Sequence, residues 1–384
     1  MSLAHMRDYM FSSVTEMIRG GPMIDRKTWL YVALLAGWAL VVAGLHAYAG
    51  SNRDEVVKIR LAHPMAPGNN VTLGYEKFAE LVKEKSQGKI LVEVYGSCML
   101  GSDRVGMESA QSGSLEMASS SSPNMANFSN EFMIFDLPYV TDIKYQENLY
   151  DALDNGPLGK YFDNLSEKIN LRPVMFSEYG YRNFVTTGRP ISTVDTVAGL
   201  KVRVTSSPVE IATAEALGMS PTPVAWGETY TAMQQGTVDG EGNTFSLLCD
   251  AKHDEVIKSA VDSRHNYSMH MLMVNNEFWN SLNAQQQQII SEAAHEALVY
   301  QRGITRKLEE IATKKMQDQG IAMHFLTPEE LQAFKDKTRS VWDKYRSHIP
   351  QELFDMVAAT QSDDYVALGP TDSKKDKDIE VSTL

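Results

Sequence analysis

Apolar positions along residues 56–345 switch repeatedly between two spacings. Residues 56–63 (VVKIRLAH) alternate at period two and end at Pro64, which predicts a first strand. Residues 71–85 carry Leu73, Phe78, Leu81 and Val82 at helical spacing, and Gly88 closes that helix. A second strand is predicted over Ile90–Tyr95, a short helix over 103–112 with Asp103 near its positive end, and a third strand over 115–119. An order of strand, helix, strand, helix, strand predicts a parallel sheet flanked by helices.

The pattern then repeats. FDLPY at 135–139 reads as a packed turn, 143–154 and 158–169 as helices, and 173–177 and 182–187 as strands. The stretch 199–245 supplies a second alternating series, with strands at 200–204, 221–225 and 237–240. Residues 260–268 and 269–275 form one long strand-like run. Residues 284–319 lack proline and predict a helix longer than the usual globular length, suited to bracing two domains. Thr327, Pro328 and Glu330 form a capping-box start for a further helix. The charged, polar tail 371–384 is expected to be disordered.

The N-terminus changes the compartment. Residues 29–47 are uncharged and apolar, preceded by Arg26 and Lys27 and closed by Ala47-Tyr48-Ala49, the layout of a cleavable signal peptide over 1–49. An uncleaved membrane anchor is the alternative. Translation from Met23 would give a leader of more ordinary proportions. Export makes a disulfide chemically permissible. Cys98 and Cys249 are nevertheless expected to be separate small core residues, with a disulfide as the alternative. With 384 residues the chain can hold two domains, and its net charge of −13 speaks against a nucleic-acid partner.

Candidate chemistry centres on a charge inside a strand. The run Leu-Lys-Val-Arg-Val places Lys201 and Arg203 on one face and Leu200, Val202 and Val204 on the other. A guanidinium there could grip a carboxylate bidentately, or form a surface salt bridge. Arg182 could serve the same site or bridge structure. Trp226 could stack on a ligand or fill core. Asn243 could hydrogen-bond a ligand, or act as a turn or cap. His63, Tyr179, Tyr181 and Phe245 are weaker candidates, each able to be core or hinge packing. The serine run at 119–122 reads as a surface loop or a ligand-facing turn at a strand's carboxyl end. Motifs for nucleotide, hydrolase or zinc-protease chemistry are absent from the sequence. His265 and His270 are five apart in a strand-like run, so they fall on opposite faces and do not suggest a shared metal.

Taken in order, GKI…VYGSCMLGSDR, GSLEM, FDLPYV, GLKVRV, SPTPVAWGETYTAMQQGTVDGEGN and VNNEFWNSL resemble the solute-binding subunit of tripartite ATP-independent periplasmic (TRAP) transporters, the DctP-type family. The resemblance implies an α/β, two-lobed periplasmic binding protein fold with a long bridging helix. Lobe I would comprise 56–179 plus 269–308, and lobe II 180–268 plus 309–350. It implies that Arg203 makes the main contact to a ligand carboxylate, with Arg182 as a second arginine in G-x-R context. Asn243 follows V-D-G, Trp226 stands where relatives often carry Phe, and Asp103 matches an acidic position after L-G. Ser121 stands where some relatives carry a ligand-facing Glu. The implied protein is a periplasmic monomer without cofactor or metal that hands a small organic acid to TRAP membrane subunits. A ligand sensor of the same fold and an exported enzyme are the alternatives. The acid could be an aromatic or keto acid, a C4-dicarboxylate or a sugar acid.

Overall fold

The structure, a computed structural model, describes residues 56–369 and, upstream of them, Trp38. Apart from Trp38, the expected leader at 1–49 lies outside the described residues, as does the tail at 371–384. No described helix is long and apolar enough to cross a membrane.

Three strands open the chain, β1 (Val57–Ala62), β2 (Ile90–Tyr95) and β3 (Met117–Ser121). Both β2 and β3 pair with β1 in parallel. Helix α1 (Asn70–Lys85) joins β1 to β2, and α2 (Asp103–Gln111) joins β2 to β3. Asn69 caps α1 by accepting the Val71 N–H at 3.0 Å. The apolar stripe of α1, through Val71, Tyr75, Phe78 and Val82, is buried against Ile59 and Leu61. Helices α3 (Gln146–Asp154) and α4 (Pro157–Ile169) cover the other face together with Phe132, Phe135 and Met271.

The second half repeats the plan with β5 (Lys201–Val204), α5 (Pro208–Ala216), β6 (Ser220–Pro223), α6 (Trp226–Gln234) and β7 (Gly240–Asn243). Strand β5 pairs in parallel with both β6 and β7. Two long strands join the halves, β4 (Leu171–Thr186) and β8 (Ser259–Asn275). They run antiparallel from Leu171 opposite Asn275 to Thr186 opposite Ser259. The sheet order is β2-β1-β3-β8-β4-β7-β5-β6, and β9 (Ala322–Phe325) pairs with β8.

Helix α8 (Ala284–Asp318) spans 35 residues, about 50 Å at 1.5 Å per residue. Its first half buries Ile290, Ala293 and Ala297 against α1. Its second half buries Ala312 and Met316 against Val185, Phe245 and Ala260. Glu309 of α8 accepts the Phe245 and Ser246 N–H groups at 3.0 and 2.8 Å, anchoring α7 (Phe245–Asp250). Helix α9 (Pro328–Tyr345) starts with the expected capping box at Thr327 and Glu330. A terminal helix, α10 (Gln351–Thr360), was not read from the sequence; it packs through Leu353, Phe354 and Val357 into the cluster containing α3 and α4.

Four expectations are corrected. The third strand runs over Met117–Ser121 rather than 115–119, so most of the serine run is buried strand and neither loop nor turn. Serine is tolerated there because its hydroxyls have partners: Ser119 meets Tyr75 and His270, and Ser120 donates to Asp103. The strand expected at 237–240 is displaced to Gly240–Asn243, so Asn243 ends a strand and does not follow a turn. Glycine at 240 permits a close approach, since a Cβ there would fall 1.9 Å from the Val185 carbonyl oxygen. The strands expected at 173–177 and 182–187 are one strand, with Gly180 at φ 119° in an irregularity of register between Glu178 and Gly180. The cysteines are separate, as expected, but both are half-buried and not core residues.

The middle of α8 is stitched to that irregularity. Gln301 accepts the Glu178 N–H at 2.9 Å and donates to the Glu178 carbonyl at 2.6 Å. The Glu178 side chain is buried, and one of its oxygens has no hydrogen-bond partner among the described residues. Burial pushes its carboxyl up to about 7, against the opposing hydrogen bond from Tyr150 and the charges of Arg306 and Arg302; Glu147 adds to the rise. An unfolded glutamate titrates near ~4.3. The folded state therefore keeps a proton that the unfolded chain has lost, and stability falls as pH rises between those values. Glu178→Gln should gain stability over the parent at pH 8, on the order of a few kcal/mol, and show no gain at pH 4. Urea melts of both proteins at the two pH values check this; an equal difference at both would mean that the carboxyl is not perturbed.

Candidate functional site

Arg203 lies at 4 % exposure in β5 between two valines that pack into the second half's core. The register of β5 and β7 sets Arg203 beside Glu241. Its Nε–H donates to the Val224 carbonyl at 2.9 Å, and Nη1 stands 3.9 Å from a Glu241 oxygen. The guanidinium carbon is 5.8 Å from the centre of the Trp226 ring, and that ring stacks on His253 at 4.8 Å. Among the described residues the Nε–H bond is the guanidinium's sole hydrogen bond, so its outer fork is uncommitted.

Arg182 is committed. Its Nη1 forms an ion pair with Glu210 at 2.8 Å, and its Nε–H donates to the Gly242 carbonyl at 3.0 Å. Glu210 also accepts the Thr205 N–H and hydroxyl, at 2.8 and 2.7 Å. Glu241 is fully buried and anchors the second half's polar floor. His253 Nδ1 is hydrogen-bonded to one of its oxygens, and Asn243 Nδ2 donates to the other at 3.0 Å. Burial alone would raise this carboxyl, but His253, Arg203 and Asn243 together hold it below the ordinary carboxylate range. Asn243 Oδ1 is buried and has no partner among the described residues.

The first half contributes the opposing wall. Asp103, at the start of α2, accepts from the Ser120 hydroxyl at 3.2 Å and the Ser121 N–H at 3.4 Å. Burial raises its carboxyl, and the Ser121 N–H and the charge of Arg203 partly offset the rise, so the two groups feel each other's charge across the halves. Ser121 Oγ accepts from Asn124 Nδ2 at 3.1 Å. Tyr179 packs its ring 5.2 Å from His270, within electrostatic reach of Arg182, Asp103 and Arg203. His270 Nδ1 lies 2.7 Å from Ser119 Oγ, which in turn lies 2.5 Å from the Tyr75 hydroxyl. His63 sits edge-on to Tyr75 at 5.4 Å, and neither of its ring nitrogens has a partner among the described residues.

Side chains close over this wall. Asn127 Nδ2 donates to Ser206 Oγ at 2.9 Å, and Ser207 Oγ donates to Asp136 at 2.6 Å. Arg203, Asp103, Tyr179, Arg182, Trp226 and Asn243 thus converge, with Ser121 and His63 on the first-half side. Phe245 does not join them. It is buried with Leu248, Ile257 and Met316 in the cluster that fastens the second half to α8, because it opens α7 on the side held by Glu309. Tyr181 is likewise occupied elsewhere, donating to Gln146 at 3.0 Å and packing 5.1 Å from Tyr267. Glu241, His253 and Glu210 were missed from the sequence, Ser119 was noticed only as part of the serine run, and His270 only as a metal ligand to be set aside. Reading Gly-Glu-Gly-Asn as a strand would have placed Glu241 and Asn243 on one face; nothing local points to His253. No group of three or more potential metal ligands occurs among the described residues.

The family model for bacterial extracellular solute-binding protein, family 7, matches residues 61–348. A curated relative is the C4-dicarboxylate-binding periplasmic protein DctP of Rhodobacter capsulatus, 32% identical over 314 residues, covering 80% of this chain and 92% of the relative. Among solved structures, a TRAP periplasmic solute-binding protein from Ochrobactrum anthropi, with its C-terminus bound in the ligand-binding pocket, matches with a TM-score of 0.72 and 32% identity. It covers 80% of this chain and 96% of the other. The sugar acid binding protein DctPAm of Advenella mimigardefordensis, in complex with galactonate, matches with a TM-score of 0.75 and 27% identity, over 79% and 98%.

Glu241 is the shared counter-charge of this floor. Glu241→Gln should cost about 3–5 kcal/mol in urea unfolding, the usual loss when one member of a buried charged network is removed. A change within about 0.5 kcal/mol, typical of surface positions, would mean that Glu241 does not hold the cluster.

Proposed function

Because the chain belongs to bacterial extracellular solute-binding protein family 7, we propose that it captures a small organic acid outside the cytoplasm and delivers it to a TRAP-type secondary transporter. The observation that carries this reading is the outer fork of Arg203, buried, charged and free of hydrogen bonds from described residues, opposite a wall from the other half. A carboxylate leaving water needs charged donors, and a guanidinium offers two in the plane of its oxygens. Arg182, occupied by Glu210, holds the second half's strand ends in place and adds field without being the primary grip. Asn243 Oδ1 and the Asp103 carboxyl would meet polar hydrogens of the ligand, and Trp226 would cover one side of it.

In this reading the halves are lobes that open and close about the irregular β4–β8 crossing near Gly180, and closure over the acid expels water. The lobes would be 56–179 plus 269–308 and 180–268 plus 309–350, with α10 returning to the first. The protein would act as a periplasmic monomer after removal of its leader, with binding and not catalysis as its task.

Arg203→Ala should weaken binding of the acid by tens- to thousands-fold, since truncating one partner of a buried charged pair costs about 2–5 kcal/mol. Arg203→Lys should recover part of the loss, because it keeps the charge and loses the fork. Isothermal titration with the acid identified by a thermal-shift screen of a carboxylate library measures both; an unchanged affinity in Arg203→Ala would sink the carboxylate reading.

A further inference from the structure

Tyr179 stands between two chemically different groups of side chains. Arg203 and Arg182 mark one, and Arg182 is already neutralised by Glu210. In the other, the first half presents His63, Tyr75, Ser119 and His270, linked through ring contacts and hydroxyls back to Tyr179. Three ring nitrogens in this group have no hydrogen-bond partner among the described residues: Nδ1 and Nε2 of His63, and Nε2 of His270. His63 is 3% exposed and His270 0%. Buried polar atoms of this kind are rare unless something completes them.

The geometry points to a ligand whose end opposite the Arg203 carboxylate is an uncharged hydroxyl or carbonyl group held by His63 and His270, that is, a hydroxy- or keto-monocarboxylate rather than a dicarboxylate. This inference rests on the carboxylate-receptor reading above. A second carboxylate would have to be buried without a cation. The charged groups that bear on this end are Arg182, already paired with Glu210, Asp103 and Glu241, which carry the wrong sign, and Arg203, which the first carboxylate takes. Burying a charge without a partner is far more costly than burying a hydroxyl that finds one. The imidazoles do not supply the missing charge. Burial drives both down to about 3; their mutual repulsion adds to the effect at His63, and Arg182 adds to it at His270. A neutral imidazole offers one donor and one acceptor, which suits a hydroxyl or carbonyl oxygen.

The test is calorimetry with ligand-free protein and a panel of short aliphatic acids, each in unsubstituted, hydroxylated, keto and dicarboxylate form. The hydroxylated or keto form should bind about ten- to a hundredfold more tightly than the unsubstituted acid of the same length, the range expected when a buried polar group is left without its partner. It should likewise exceed the dicarboxylate. His63→Ala and the milder His63→Gln should narrow that preference while changing affinity for the unsubstituted acid less than the preference itself. A dicarboxylate that binds more tightly than every hydroxy- and keto-monocarboxylate, with binding still lost in Arg203→Ala, would overturn this inference and leave the receptor reading standing. Binding of no acid, or binding indifferent to Arg203→Ala, would overturn both. The wild-type panel decides the matter even if a histidine variant fails to fold.

Discussion

The antiparallel pairing of β4 with β8 is the constraint on which the molecule depends. These two strands run through both halves of the sheet, so every other strand takes its position from one of them, directly or through a neighbour. A ladder of this length resists sliding, because a one-residue slip would turn each side chain to the wrong face. It can bend only where its register is already irregular, and one such place falls at Glu178–Gly180. Tyr179 is the unpaired residue of that irregularity, and His270 and Arg182 flank it. The cleft is therefore built on the strands that set the angle between the halves.

Helix α8 gives the crossing its second support. One long helix packs on α1 at one end and on the cluster around Phe245 and Ala260 at the other, while Gln301 is bonded to the backbone at the bend. Sheet and helix thus hold the two halves at the same level of the fold. An apolar cluster reaching from α4 through Phe132 and Met269 to Val209 of α5 and Tyr345 of α9 adds a further contact between them.

Charge in the cleft is balanced unevenly. Arg182 and Glu210 meet at ion-pair distance, whereas Arg203 has its counter-charge 3.9 Å away and spends only Nε–H on the described residues. Asp103 and Asp136, buried with less direct compensation, are pushed towards their neutral forms. Arg203 thus keeps an uncommitted fork among the described residues, while the first half presents the unpartnered nitrogens of His63 and His270.

Periodicity alone determined most of the element types here, along with the capped start of α9 and the long helix, because burial on one face writes a repeat into the chain. Arg203 was conspicuous for the same reason: a charge in an apolar alternation breaks the pattern. Where local chemistry and tertiary context disagreed, context decided. Four serines and a Gly-Glu-Gly-Asn run look like loop, yet Met117–Ser121 and Gly240–Asn243 are strands, because paired neighbours on both sides satisfy their backbones and buried partners satisfy their hydroxyls. Phe245 and Trp226 are both large rings at the starts of helices, and only the packing of α8 sends the first into core and leaves the second beside Arg203. The link between Glu241 and His253, and the approach of His63 to His270, depend on contacts between separate segments. A local repeat records which face of an element is buried; it carries no record of what that face meets.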